Sequence, residues 1–167
     1  RIIVPWPPGG LTDNVSRMPE SPTQRAPELL LALVSDMAVT ANFAFTPRDG
    51  VTFCNCYVAV LTAALRCPVP PMLANLQCAW LKSDEGRMAG WMPVDSETAR
   101  ARVELGYPTV VAWKNPHHDR PGHIALLVPA PKGVVSIHIT QAGASNFIRA
   151  PMGRGFGSLP VEFFTHQ

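Results

Sequence analysis

The stretch TVVAWKNPHHDRPGHIALLVPAPKGVVSIHITQ, residues 109–141, decides the fold. Three short apolar, β-branched runs stand in it, Thr109–Trp113, His123–Val128 and Val134–Gln141, separated by turns rich in Pro and Gly. Runs of that length and spacing are expected to be strands of an antiparallel meander. A last short strand is expected at Pro160–Phe164. Before Gly106 the apolar period is that of helices. Leu29, Leu30, Leu33, Val34 and Met37 recur at three and four within Ala26–Asn42, and Pro27 and Glu28 suit a first turn. A second helix is expected over Cys54–Cys67, with Thr52 as its cap and Tyr57, Val58, Leu61 and Leu65 as its buried stripe. Pro68, Pro70 and Pro71 stop it. A third helix covers Met72–Lys82, and a fourth runs from a cap at Asp95 through Glu97 to Gly106. Helices first and sheet second make an α+β domain.

Composition narrows the function classes. The chain has 167 residues, enough for one compact domain, and 47% are hydrophobic, enough to fill its core. Fourteen Lys and Arg against twelve Asp and Glu leave a net charge of +2, which is no nucleic-acid footprint. No apolar run reaches the length of a bilayer span, so no membrane span is expected. Residues 29–34 look faintly like a signal-peptide core, but Asp36 follows closely and a buried helix is the expected reading.

The first 25 residues differ from the rest. Arg1–Arg17, RIIVPWPPGGLTDNVSR, resembles the opening strand and glycine loop of the periplasmic receptors of tripartite tricarboxylate transporters. Nothing after Met18 continues that resemblance. Residues 1–25 are therefore expected to form a loosely attached segment, or alternatively an edge strand plus loop, with residues 26–167 as the domain proper.

The residues that carry chemistry are Cys54 at a helix start and His123 at a strand start. A thiol is a nucleophile only as thiolate, and the free N–H groups of a helix N-terminus favour the anion. An imidazole bonded to that sulfur can hold it as an ion pair and later protonate a leaving group. A third group is needed to orient the ring through its other nitrogen. Gln141 and His138 are the candidates, and strand register chooses between them. Pairing Val128 with Val134 places 137, 139 and 141 on the His123 face, whereas a slip of one residue substitutes His138.

Thr52-Phe53-Cys54-Asn55-x-Tyr57-Val58, Val110-Val111-Ala112-Trp113, Gly122-His123-Ile124-Ala125 and Ile139-Thr140-Gln141-Ala142-Gly143 together resemble the papain-like cell-wall hydrolases. That superfamily includes the NlpC-type and CHAP-type families. The resemblance covers residues 50–145 and lies in the order of the elements more than in the letters. It implies a papain-like α+β fold, with the Cys helix packed on an antiparallel sheet. It also implies cleavage of an amide in a peptidoglycan peptide by a Cys–His–polar triad, here Cys54, His123 and Gln141, with His138 as the second choice. The same resemblance implies an extracytoplasmic or phage-lysis setting. Relatives that act on small esters or amides give a second reading, and a non-catalytic cell-wall-binding module with this fold gives a third.

Cys56 lies about 200° round the helix from Cys54, so it is expected to be inert. Asn55 is a candidate for an oxyanion site beside the Cys54 N–H, or a simple cap. Among Trp80, Trp91 and Trp113, Trp91 after Gly90 is the candidate for lining a substrate groove, and Trp113 is assigned to the core. His117, His118 and Asp119 have no metal-ligand spacing, the four cysteines contain no C-x-x-C pair, and no metal or cofactor is implied. Spacing permits a Cys67–Cys78 bridge and does not decide it. Gly153-Arg154-Gly155-Phe156-Gly157 is not a phosphate loop, because no helix with Lys and Ser or Thr follows it.

Overall fold

The computed structural model describes residues 25–167, so the segment 1–24 and the resemblance it carries lie outside the described residues. The helices are α1 (Pro27–Asp36), α2 (Cys54–Ala64), α3 (Ala74–Lys82), α4 (Asp84–Met88), α5 (Ser96–Glu104) and α6 (Gly153–Phe156). The strands are β1 (Trp91–Val94), β2 (Thr109–Trp113), β3 (His123–Val128), β4 (His138–Gln141), β5 (Phe147–Pro151) and β6 (Glu162–His166). They form one six-stranded sheet in the order β1-β6-β2-β3-β4-β5, antiparallel at every pair, and the domain is α+β.

Local chemistry explains where the elements begin and end. Asp95 caps α5, its carboxylate accepting from the Thr98 N–H at 2.7 Å. Gly106 ends that helix at φ +83, and a Cβ there would strike the Ala26 backbone. Helix α1 stops at Asp36, shorter than its apolar period, because Ala38 turns left-handed at φ 45. Helix α2 likewise stops at Ala64, with Arg66 left-handed at φ 58 and the Cys67 N–H returned to the Thr62 carbonyl. Thr52 does not cap α2. Phe53 holds that position with no side-chain bond. Strand β4 begins at His138, since the tight turn at Gly133 leaves Val134 and Val135 exposed.

Two strands absent from the sequence reading, β1 and β5, carry Pro93 and Pro151. They are the two edges of the sheet, where a residue without an N–H can be accommodated.

The register fixes which side chains share a face. Phe164, Val110, Leu126 and Thr140 lie in one row across the sheet, and Phe163, Val111 and Ala125 lie in a row on the other face. The Tyr57 hydroxyl and that of Thr140 are 2.8 Å apart, which lays α2 along the first face. Arg102 on α5 donates to the Thr165 hydroxyl on the second. Helix α2 is buried nearly all round, through Cys54, Tyr57, Val58, Ala59, Val60, Leu61 and Thr62. All four cysteines are free thiols, so no Cys67–Cys78 bridge forms. Burial pushes both of those thiols up to about 12. No helix among the described residues is long and apolar enough to cross a membrane.

Asn146 ties the β4–β5 turn to the segment before α2. Its amide donates to the Val39 carbonyl at 3.1 Å and the Phe45 carbonyl at 2.8 Å, while its oxygen accepts from the Gly143 N–H at 3.0 Å. Asn146→Ala leaves all three groups without that partner and should cost about 2–4 kcal/mol. The expected result is a lower urea midpoint with an unchanged slope, and a midpoint equal to the parent's would remove Asn146 from this account.

Candidate active site

The site is assembled at the end of the sheet where β2 stops and β3 starts. Helix α3 holds the loop between them. Asn75 accepts from the Asn115 N–H at 2.9 Å and donates to the Arg120 carbonyl at 2.8 Å. Asn115 in turn donates to the Pro121 carbonyl at 3.1 Å. Gly122 then passes so close to Asn75 and to the Trp113 carbonyl that a Cβ there would lie 2.5 Å from that carbonyl oxygen. The next residue is His123.

His123 Nε2 lies 2.8 Å from Gln141 Oε1. The other end of that amide donates to the Ser145 carbonyl at 2.9 Å. A carbonyl can only accept, so Ser145 fixes which end of Gln141 is the NH₂ group. The amide oxygen therefore faces the ring, and Nε2 must carry the proton that it accepts. In the neutral imidazole this leaves Nδ1 with its lone pair, and Nδ1 has no hydrogen-bond partner among the described residues.

The register behind this contact differs from the expected one. Val128 pairs with His138, not with Val134, so β4 is displaced by four residues. Four is even, so Gln141 keeps the His123 face. His138 points to the other face, is buried, and has Nδ1 2.9 Å from the Ser136 carbonyl.

Helix α6 closes over the pair. The Phe156 ring sits 4.6 Å from the His123 ring, centroid to centroid. Gly155 leaves no room for a Cβ, which would overlap Gln141 Oε1 and lie 2.9 Å from Ile139 Cδ1. Gly143 is similarly close, with Gln141 Nε2 3.0 Å and His123 Cε1 3.4 Å from the Cβ position. Ser145, Gly143, Gly155 and Phe156 were not singled out as site residues from sequence. The signal available was the run Gly153–Gly157, whose spacing fits a tight cover as readily as a loop.

Cys54 is the first residue of α2 and is buried. Burial pushes its thiol above the ordinary 9.0, and the backbone N–H groups of Ile124 and Asn55 oppose that shift. The sulfur thus lies at the rim of the sheet beside the residue that follows His123. Helix α2 covers the Thr140 face, whereas His123 and Gln141 leave the sheet on the other, and among the described residues no hydrogen bond joins the sulfur to the ring. Burial also holds the His123 imidazole below the ordinary 6.5, against the Gln141 bond, which raises it. Both shifts favour a neutral thiol and a neutral imidazole, in place of the ion pair expected from the helix N-terminus.

No protein-family model matches this chain, and no curated protein matches it.

Two expected site residues are placed elsewhere. Asn55 donates its amide to the Met72 carbonyl at 2.9 Å, and its own carbonyl accepts from Gln77, so it ties α2 to α3 and is not aimed at an oxyanion. Trp91 is fully buried in β1 with its ring against His166, and cannot line a groove. Trp113, assigned to the core from sequence, is half-buried and lines an open cavity. Cys56 is half-buried, and burial raises its thiol too. His117, His118 and Asp119 are exposed on the β2–β3 loop, and among the described residues no three metal-ligating groups cluster.

The two influences on His123 can be separated. Gln141→Leu keeps the burial and removes the accepting oxygen, so the imidazole should titrate at lower pH than in the parent. Following the ring proton resonances of His123 by NMR across pH 4–8, on the order of the imidazole range, reads this directly. An upward shift would mean that Nε2–H does not donate to Gln141.

Proposed function

We propose that this chain is a papain-like cysteine hydrolase, of the NlpC- and CHAP-type kind, that cleaves an amide bond in peptidoglycan peptide through Cys54, His123 and Gln141. The observation that carries this reading is the 2.8 Å His123–Gln141 hydrogen bond, which leaves Nδ1 without a partner, in a sheet whose Ile124 backbone meets the thiol of Cys54 at the start of α2. The chemistry follows from the proton positions. The thiol swings from the Ile124 amide towards Nδ1, and such contacts commonly tighten only when substrate is bound. Nδ1 takes the thiol proton as sulfur attacks the carbonyl carbon. Gln141 holds the ring while it is briefly imidazolium, and the Cys54 backbone N–H faces the developing oxyanion. The imidazolium then gives its proton to the leaving amine. Water, deprotonated by the same nitrogen, releases the acid from the thioester.

An acyl probe that traps thiol nucleophiles tests the assignment. It should label one cysteine, Cys54, located by mass spectrometry. Cys54→Ala should abolish both labelling and hydrolysis of peptidoglycan peptide, while Cys56→Ala leaves turnover within about two-fold of the parent. Label at another cysteine, or near-normal turnover in Cys54→Ala, would end this mechanism. A folded chain that labels nowhere would be a cell-wall-binding module, and one that turns over only small esters or amides would place it with the relatives retuned to those substrates.

The pH profile tests the protonation state. The competent form holds one proton on sulfur and none on Nδ1. It is lost in acid as the imidazole protonates, below 6.5 because that group is lowered. It is lost in alkali as the thiol ionises, above 9.0 because that group is raised. The profile of kcat/KM should therefore be a broad bell whose limbs belong to the pair. An alkaline limb below the ordinary thiol value would show a resting ion pair instead.

A further inference from the structure

Trp113 is the direct cross-strand partner of His123, so the two side chains leave the sheet on the same face, about 5 Å apart at Cβ. The half-buried indole lines an open cavity of about 530 Å³, completed by Lys114, Pro116, Leu159, Val161 and Glu162. That volume suits a small ligand or one residue of a peptide. The charges in it are unequal. Glu162 is matched by Lys82, with Nζ 2.8 Å from Oε2, whereas Lys114 is in no ion pair with any described residue. The cavity thus offers an aromatic and aliphatic surface with one uncompensated cation at its edge.

We infer that this cavity is a substrate subsite for a carboxylate-bearing group with an apolar body, the body lying on Trp113, Leu159 and Val161 and the carboxylate on Lys114. The inference rests on the hydrolase reading in one respect: the subsite would hold the part of the substrate next to the bond presented to His123. Cationic ligands are disfavoured by Lys114, and a neutral ligand gains nothing from it.

The test is direct binding, in the full chain carrying Cys54→Ala so that nothing is turned over. The probes are N-acetyl-L-leucine and its primary amide, which share one apolar body and differ in the carboxylate. Titration is followed by NMR on the Trp113 indole N–H, assigned with Trp113→Phe. Both probes should move that resonance, and the acid should bind about three- to five-fold more tightly, the upper part of the range for one exposed ion pair. Lys114→Met, which keeps the alkyl stem, should bring the two affinities together. Equal affinities in the parent, a Trp113 resonance that does not move, or a preference that survives Lys114→Met would each overturn the inference. The hydrolase reading fails separately, by absence of acyl labelling at Cys54, and that result would leave the binding measurement standing.

Discussion

The arrangement at the sheet end depends on one hydrogen bond, from His123 Nε2–H to Gln141 Oε1, and on the Ser145 carbonyl that decides its direction. An amide that could flip would also present NH₂ to the ring and push the proton to Nδ1, the nitrogen that the proposed mechanism uses as base. Ser145 removes that freedom. The cost falls on the neighbours, because two chain segments pass so close to that amide that neither has room for a methyl group. Gly155 and Gly143 meet that demand, and Phe156 supplies the apolar wall that keeps water from competing for the bond. The Asn146 bonds to Val39 and Phe45 hold the turn that carries Ser145. Much of the chain between 143 and 156 is explained by keeping one amide still.

How much of this could be read from sequence follows from which interactions are local. Strands β2 and β3 and the capped start of α5 are written in short-range pattern: β-branched runs, and Asp95 before Thr98. Edge strands β1 and β5 are not, because Pro93 and Pro151 look like breakers until the sheet order shows that each faces open solvent on one side. The β3–β4 register could not be read either, since it is set by the length of the turn around Gly133, and the four-residue displacement kept Gln141 on the His123 face only because four is even. Trp91 and Trp113 exchanged their expected roles for a related reason. Residue type says that an indole is large and amphipathic, and only the packing of α3 and α4 on β1 says which one is covered.

The thiol shows where short-range electrostatics misleads. A helix N-terminus stabilises an anion by about 0.3–1 kcal/mol at an exposed position and somewhat more when partly buried. Removing a thiolate from water works against it, and for Cys54 burial is the larger influence. The sequence shows the helix start. It does not show that Phe53, Val58 and Ile124 are packed around it in the same core.

The third residue then bears on the same balance. A carboxylate on Nε2 would have favoured imidazolium and drawn the pair towards thiolate–imidazolium. Gln141 supplies a dipole and no net charge, so its bond raises His123 by less than desolvation lowers it. A buried thiol, a lowered imidazole and a neutral amide are mutually consistent, since none requires a formal charge inside the fold at rest. In the proposed mechanism charge separation is confined to the moment of proton transfer, when the Ile124 and Asn55 amides would favour the sulfur anion and Gln141 the protonated ring. Those groups are fixed in place by the ends of α2 and β3, so they act on the developing charge without having to reorganise.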